Sequence, residues 1–213
     1  MCRILAIQTQ APFAPGPYLS QFAALAQRSS VYQGHGWGCA WRTPEGTWCK
    51  RHDLTPIWNA VLPELPATTG LLVHARSAFR DEGVVVENNM PFGDESHAFI
   101  FNGELHGVRI RSEGRIGAER LYHYMRRFDR GSLLGALEQA VPIIHRRSAH
   151  VRGLNAVLAN HREVVFTTDF ASEPEYFTLY ERRQPGRHVV CSGPLDDEQD
   201  WQPIPPGTRR CLQ

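Results

Sequence analysis

The sequence predicts a layered α+β protein, and three features of it do so. An apolar run begins at Ile4, two segments of helical period follow one another in mid-chain, and short apolar runs fill the last third. Strands, then two helices, then strands again is the order that a layered α+β arrangement produces.

Taken in order, Arg3 to Thr9 reads as a buried strand, and the proline-rich stretch Ala11 to Pro17 as the bend after it. Tyr18 to Arg28 places Leu19, Phe22, Leu25 and Ala26 near one face of a short helix. Gly34 to Trp41 is a glycine-punctuated segment running into a strand, with a hairpin turn at Thr43 to Gly46. Leu54 to Leu62 reads as a further helix. Gly70 to His74 is an apolar strand leading into Ala75-Arg76, and Ser96 to Phe101 is another, ended by Asn102-Gly103. Arg115 to Phe128 carries the clearest helical period, and a second helix, Ser132 to Arg147, follows Asp129-Arg130-Gly131. Gly153 to Ala159, Glu163 to Thr168, Phe177 to Arg182 and His188 to Ser192 read as the closing strands. There is no internal repeat, low-complexity tract or obvious linker, so one domain over residues 1–213 is the economical reading.

Composition narrows the function classes. Hydrophobic residues make up 42% of the 213 positions, enough for a packed core. The formal net charge of +1 gives no global pull toward nucleic acid or an anionic membrane. No run reaches the ~18 apolar residues of a membrane span, and the residues after Met1 lack the form of a secretory leader. The five cysteines, Cys2, Cys39, Cys49, Cys191 and Cys211, are an odd number without paired-ligand spacing. Free thiols in a reducing cytoplasm are expected, with no disulfide framework, no metal site and no cofactor. The histidines have no metal-ligand spacing.

Three places in the chain carry candidate chemistry. Cys2 has a small side chain at the second position, which favours excision of Met1 and leaves a thiol beside a free α-amine. That amine, whose ordinary pKa is about 7.7–8.0, is partly neutral at pH 7 and can act as base for its own side chain. Taken alone, a second-position cysteine reads first as an inert residue. Asn102-Gly103 follows the apolar strand Ala98-Phe99-Ile100-Phe101. An Asn amide and the next backbone N–H suit an oxyanion, while Asn-Gly is also the commonest hairpin turn. Arg76 ends a strand that should be buried. Its guanidinium fits a substrate carboxylate, or an internal ion pair with Glu87 or Asp94.

In this order the segments resemble the class II glutamine amidotransferases. Met1-Cys2 with Arg3-Ile4-Leu5-Ala6 resembles the family's opening, and His35-Gly36-Trp37-Gly38-Cys39-Ala40-Trp41 its strand beside the nucleophile. Val73-His74-Ala75-Arg76-Ser77-Ala78 resembles its His-x-Arg segment, Asn88-Asn89-Met90-Pro91-Phe92 its Asn-x-His-Pro-Phe segment, and Phe101-Asn102-Gly103-Glu104-Leu105 its oxyanion-hole turn. Ser192-Gly193-Pro194-Leu195 and Trp201 to Gly207 are similar to the closing segment of the small stand-alone members, which include the amidohydrolase of ergothioneine biosynthesis.

The resemblance implies the four-layer αββα sandwich of the N-terminal-nucleophile hydrolases. It implies a cysteine-dependent amidohydrolase that cleaves the γ-amide of glutamine or a γ-glutamyl compound, with Cys2, Asn102 and Gly103 as catalytic groups. Arg76, His74, Trp37, Gly38 and Glu119 are the implied substrate contacts. A separate synthase subunit receiving ammonia is the implied partner of a true amidotransferase; nucleic acid and membrane are not expected. The departures bear on substrate. Gly117 stands where the family commonly has an Asp that binds the substrate α-amine, so either Glu113 or Glu119 replaces it or the substrate lacks a free α-amine. Met90 stands in place of a histidine, and this change together with Gly117 motivates a non-catalytic or partner-activated subunit as the alternative; Arg80, in place of another histidine, reads as surface charge or as a partner for a second substrate carboxylate.

Overall fold

The computed structural model describes residues 1–197 and 199–213. Its strands are β1 (Arg3–Phe13), β2 (Trp37–Arg42), β3 (Trp48–Asp53), β4 (Thr68–Ala75), β5 (Ala98–His106), β6 (His150–Ala159), β7 (Val164–Thr168), β8 (Tyr180–Gln184), β9 (Arg187–Cys191), β10 (Gln202–Pro203) and β11 (Thr208–Cys211). Its α-helices are α1 (Gly16–Gln27), α2 (Gly117–Arg126), α3 (Leu133–Arg147) and α4 (Pro174–Phe177). Seven strands make one antiparallel sheet in the order β10-β8-β9-β1-β4-β2-β3, and four make a second in the order β11-β7-β6-β5.

Two cores explain the layering. In β1, Leu5 and Ile7 face one side and pack with Leu19, Phe22, Ala23 and Ala26 of α1. The alternate residues Ile4 and Ala6 face the other side and join Phe99, Phe101, Val157 and Phe166 of the second sheet. The far face of that sheet is covered by Leu121 and Met125 of α2 and Leu137, Val141 and Ile144 of α3. The layers are therefore helix, sheet, sheet, helix, the αββα sandwich. A strand buried on both faces must be apolar at every position, which is why Ile4-Leu5-Ala6-Ile7 shows no alternation. Burying a large side chain such as Phe99 or Phe166 contributes roughly 1.5–3 kcal/mol.

The structure corrects several sequence expectations. β1 continues through Phe13, so the chain turns at Pro15 and not at Ala11. Leu54 to Leu62 is turn and coil; it is interrupted by Pro56, and Ile57, Trp58, Ala60 and Leu62 pack on the α1-side core without a helix. β5 does not end at Asn102-Gly103 but runs on to His106, so no hairpin turn lies there. The expected strand from Phe177 begins instead as α4, and its paired part is Tyr180–Gln184. β3 is the strand into which the expected hairpin turn at Thr43 to Gly46 leads; β10 and β11 have weak apolar patterns and add strands where the sequence predicts none.

Candidate active site

The cross-strand register brings the first residues of the chain to the end of β4. Arg3 pairs with Ala75, so Cys2 lies one step further along, beside Arg76. The ladder extends through Arg76, whose N–H donates to the carbonyl of Gly36 at 2.9 Å. Gly36 has φ +102°, and a Cβ there would meet Asn89 Nδ2 at 2.2 Å and the Asp53 carbonyl at 2.6 Å, so the close approach requires glycine.

Cys2 is held from three directions. Its backbone N–H donates to Asn102 Oδ1 at 2.9 Å. The Ser77 N–H points at its Sγ at 3.4 Å. The Tyr176 hydroxyl reaches the carbonyl oxygens of Met1 and Cys2 at 2.6 and 3.2 Å, and Gln33 Nε2 donates to the Met1 carbonyl at 2.9 Å. Arg3 fastens the same segment to the rest of the fold, donating to the Ser192 carbonyl at 2.7 Å with its guanidinium over the Tyr176 ring. Burial pushes the Cys2 thiol up; the N-terminal ammonium, the Ser77 amide and Arg76 each pull the other way.

Asn102 is fully buried in β5, and its Nδ2 has no hydrogen-bond partner among the described residues. Its oxygen is held by Cys2, so the amide orientation is fixed and its donor end is buried and unpaired among the described residues. Gly103 sits where a Cβ would lie 2.1 Å from the Gly153 carbonyl oxygen, so β5 and β6 approach more closely than a side chain permits. Arg76 is 6% exposed. Its guanidinium donates to Asn89 Oδ1 at 3.4 Å, and no carboxylate is in ion-pair range among the described residues. The two acids that could have neutralised it are elsewhere: Asp94 pairs with Arg126 at 3.0 Å, and Glu87 is exposed. Burial lowers the Arg76 pKa, and negative charge on the nearby Cys2, when it forms, favours the guanidinium.

Cys2, Arg76 and Gly103 open onto a cleft of about 720 Å3 whose lining also includes Asn88, Met90 and Gly117, and Asn102 lies buried next to Gly103. The remaining sequence candidates lie apart from it. Trp37 alternates toward the α1-side core, with Cys39. Gly38 faces Met90 and His52, where a Cβ would be 2.4 Å from the Met90 carbonyl oxygen. His74 is fully buried in register with Ile4 and Gly38, and neither ring nitrogen has a partner at hydrogen-bonding geometry among the described residues. Burial is the main cause holding its pKa down to about 3, so the ring is neutral. Glu119 is occupied by Arg115, at 2.7 and 3.0 Å from the guanidinium and 2.6 Å from the Arg115 N–H. Glu113 is 83% exposed on its side chain and faces His123. Arg80 is exposed, with its guanidinium over Phe79.

Sequence reading missed Tyr176 and Gln33, which lie 143 residues apart and touch Cys2 and Met1 only through tertiary folding. It also missed Ser77, although that residue directly follows Arg76. Among the described residues no cluster of three metal-ligating side chains occurs, and no helix is long and apolar enough to cross a membrane.

Cys2, just before β1, meets the Asn102 carboxamide of the opposite sheet between the two sheets of the αββα sandwich. Solved structures of class II glutamine amidotransferase domain proteins share the fold. One is the glutamine phosphoribosylpyrophosphate amidotransferase of B. subtilis, at 15% identity and TM-score 0.62 over 90% of this chain and 42% of that one. A glutamine aminotransferase class-II domain protein from Silicibacter pomeroyi is 16% identical, with TM-score 0.62 over 100% of both chains. A protein described as a predicted glutamine amidotransferase from Pseudomonas aeruginosa is 16% identical, with TM-score 0.59 over 99% of this chain and 97% of that one. This chain thus spans less than half of the Bacillus enzyme and nearly all of the other two. No family model and no curated protein matches it. At these identities the likeness establishes the fold.

Proposed function

We propose that this chain is a class II glutamine amidotransferase-type amidohydrolase, with Cys2 as nucleophile after excision of Met1. The observation that carries the reading is the pairing of Cys2 with Asn102 across the two sheets, with the carboxamide donor end unoccupied. The thiol of Cys2 attacks the γ-carbonyl carbon of glutamine or a γ-glutamyl amide. Its proton passes to the freed α-amine, because burial raises the thiol pKa and disfavours a preformed thiolate. Asn102 Nδ2 and the Gly103 N–H receive the oxyanion. The C–N bond then breaks, the leaving amine takes the proton, and water hydrolyses the γ-glutamyl thioester to carboxylate and thiol. Arg76, buried and without an acidic partner among the described residues, holds the α-carboxylate of the substrate.

When the leaving group is ammonia, a separate synthase subunit is the fitting recipient. The test is amide hydrolysis by the Met1-free protein, with Cys2→Ala and a form retaining Met1 as controls. Release that depends on both Cys2 and Met1 removal is expected; equal release by Cys2→Ala sinks the mechanism. A second reading, a ligand-binding subunit without activity, is favoured by one observation, the glycine at position 117. It predicts a folded, Met1-free protein that binds the ligand and releases nothing.

A further inference from the structure

The cleft is built for a ligand larger and differently charged than free glutamine. Its volume of about 720 Å3 falls within the roughly 300–1,000 Å3 range that encloses drug-sized ligands. Phe101, Leu105, Val108, Ile110 and Leu121 supply apolar wall beyond the reacting end.

Its charge is lopsided. The wall formed by the start of α2 contributes Arg115, Gly117 and Arg120. Arg115 is neutralised by Glu119, whose carboxylate is thereby withdrawn from the cleft. Arg120 donates to the Gly114 carbonyl at 3.2 Å and has no acidic partner among the described residues. The first turn of α2 has no side-chain cap, since Ile116 occupies the cap position; Ile116, Gly117 and Ala118 line the same wall, which places uncapped backbone N–H groups there. Glu104 also lines the cleft but is bound to Arg152 at 2.7 Å and His106 at 2.8 Å. Glu82, at the exposed lip, is the lining carboxylate without an ion pair among the described residues. One more polar residue belongs to the lining: Asn88 is 7% exposed, and its Oδ1 is buried without a hydrogen-bond partner among the described residues. That oxygen is a neutral acceptor, suited to an amide N–H.

A free α-ammonium placed against this wall meets the Arg120 cation and uncapped N–H groups. An acylated α-nitrogen meets what it needs: an acceptor, the Asn88 carboxamide, for its N–H and donors for its carbonyl. We infer that the substrate is an α-N-acylated glutamine, or a glutamine blocked in that way at its amino group, with Arg76 holding the carboxylate and the acyl group lying along the α2 wall. The inference rests on the amidohydrolase reading above and specifies the substrate class for that site. Gly117 is the determining position. A Cβ there meets nothing within 4 Å, so a carboxylate can be installed without disturbing the fold.

The experiment compares L-glutamine, N-acetyl-L-glutamine and glutaric acid monoamide by ammonia release from the Met1-free protein. The Cys2→Ala form is titrated with the same three compounds by calorimetry. N-acetylglutamine is expected to exceed glutamine by at least about tenfold in kcat/KM and in affinity, a difference worth ~1.4 kcal/mol. Gly117→Asp should reverse the order. Glutamine equal to or better than the acylated compound in the unsubstituted protein overturns the inference while leaving the amidase intact. So does a Glu82→Gln variant that loses glutamine selectively, since Glu82 would then be the ammonium partner. If none of the three is hydrolysed, the amidase reading falls, and the affinity order in the Cys2→Ala form still decides the substrate class.

Discussion

The hydroxyl of Tyr176 lies 2.6 Å from the carbonyl oxygen of Met1 and 3.2 Å from that of Cys2, so a residue 174 positions downstream seats the candidate nucleophile. After Met1 is excised, the contact to the Cys2 carbonyl is the one that persists. Tyr176 is carried by α4, and the residue before that helix, Glu173, is clamped by Arg152 at 2.7 Å. Tyr176→Phe should lower kcat about tenfold, the equivalent of ~1.4 kcal/mol in the barrier, and leave KM within a small factor. The unfolding free energy should fall by ~1 kcal/mol, the usual size of one buried hydrogen bond. Steady-state kinetics and denaturant titration on one preparation check both; a change in KM alone contradicts the seating role.

Asn102 has two ends with different duties: its oxygen accepts from Cys2 and its nitrogen is unpaired among the described residues. Asn102→Asp keeps an acceptor for the Cys2 nitrogen and removes the donor. If the donor serves the oxyanion, kcat should drop by ~10²–10³ in both Asn102→Asp and Asn102→Ala. Full activity in the Asp variant removes the carboxamide from the mechanism.

Gly103 and Gly117 both line the cleft and should respond oppositely to alanine. At Gly103 the new Cβ meets backbone, the Gly153 carbonyl oxygen at 2.1 Å, so β5 and β6 must separate. A loss of roughly 1–3 kcal/mol is expected, as for other overpacking substitutions. At Gly117 there is open space, and alanine, the better helix former, should be neutral or stabilising by a few tenths of a kcal/mol up to ~1. Chemical denaturation midpoints compare the pair directly.

His74 links stability to pH. Its pKa in the folded protein is about 3 against an ordinary 6.5. The depressed value means that the unfolded chain binds the proton more readily, so its contribution is complete above ~6.5 and is lost as pH falls toward ~3. The slope approaches ~1.4 kcal/mol per pH unit in that window. His74→Gln should flatten urea-unfolding stability between pH 6.5 and 4 relative to the unsubstituted protein. Parallel curves would show that His74 is not the group titrating.

The parts of the molecule readable from sequence are those with local signatures. Ile4 to Ile7, the α2 and α3 periods and the Ser132 cap, which accepts from Gly135 N–H at 3.2 Å, are of this kind. The edge strands β10 and β11 are not, because Gln202-Pro203 is exposed and Thr208–Cys211 only half-buried, with no apolar alternation. Leu54 to Leu62 misled because its apolar residues pack on a core without adopting a period. At the site, Cys2, Arg76 and Asn102-Gly103 stood out by type and neighbours. Whether Asn102-Gly103 was a turn or part of a strand depended on β6 lying opposite, a long-range pairing that no local window contains. The role of Glu119 was likewise hidden, since four residues away Arg115 could be a helix-surface partner or a bystander until the side chains met.

Cys2 and Arg76 belong to the end of one sheet, while Asn102 and Gly103 belong to the other. The reactive constellation thus straddles the seam where Ile4 and Ala6 meet Phe99 and Phe101. A partly assembled chain with either sheet formed alone would hold a thiol or a donor, never both in register. The potential for chemistry is an emergent property of docking, and turnover in this protein would report on whether its two halves have closed on each other.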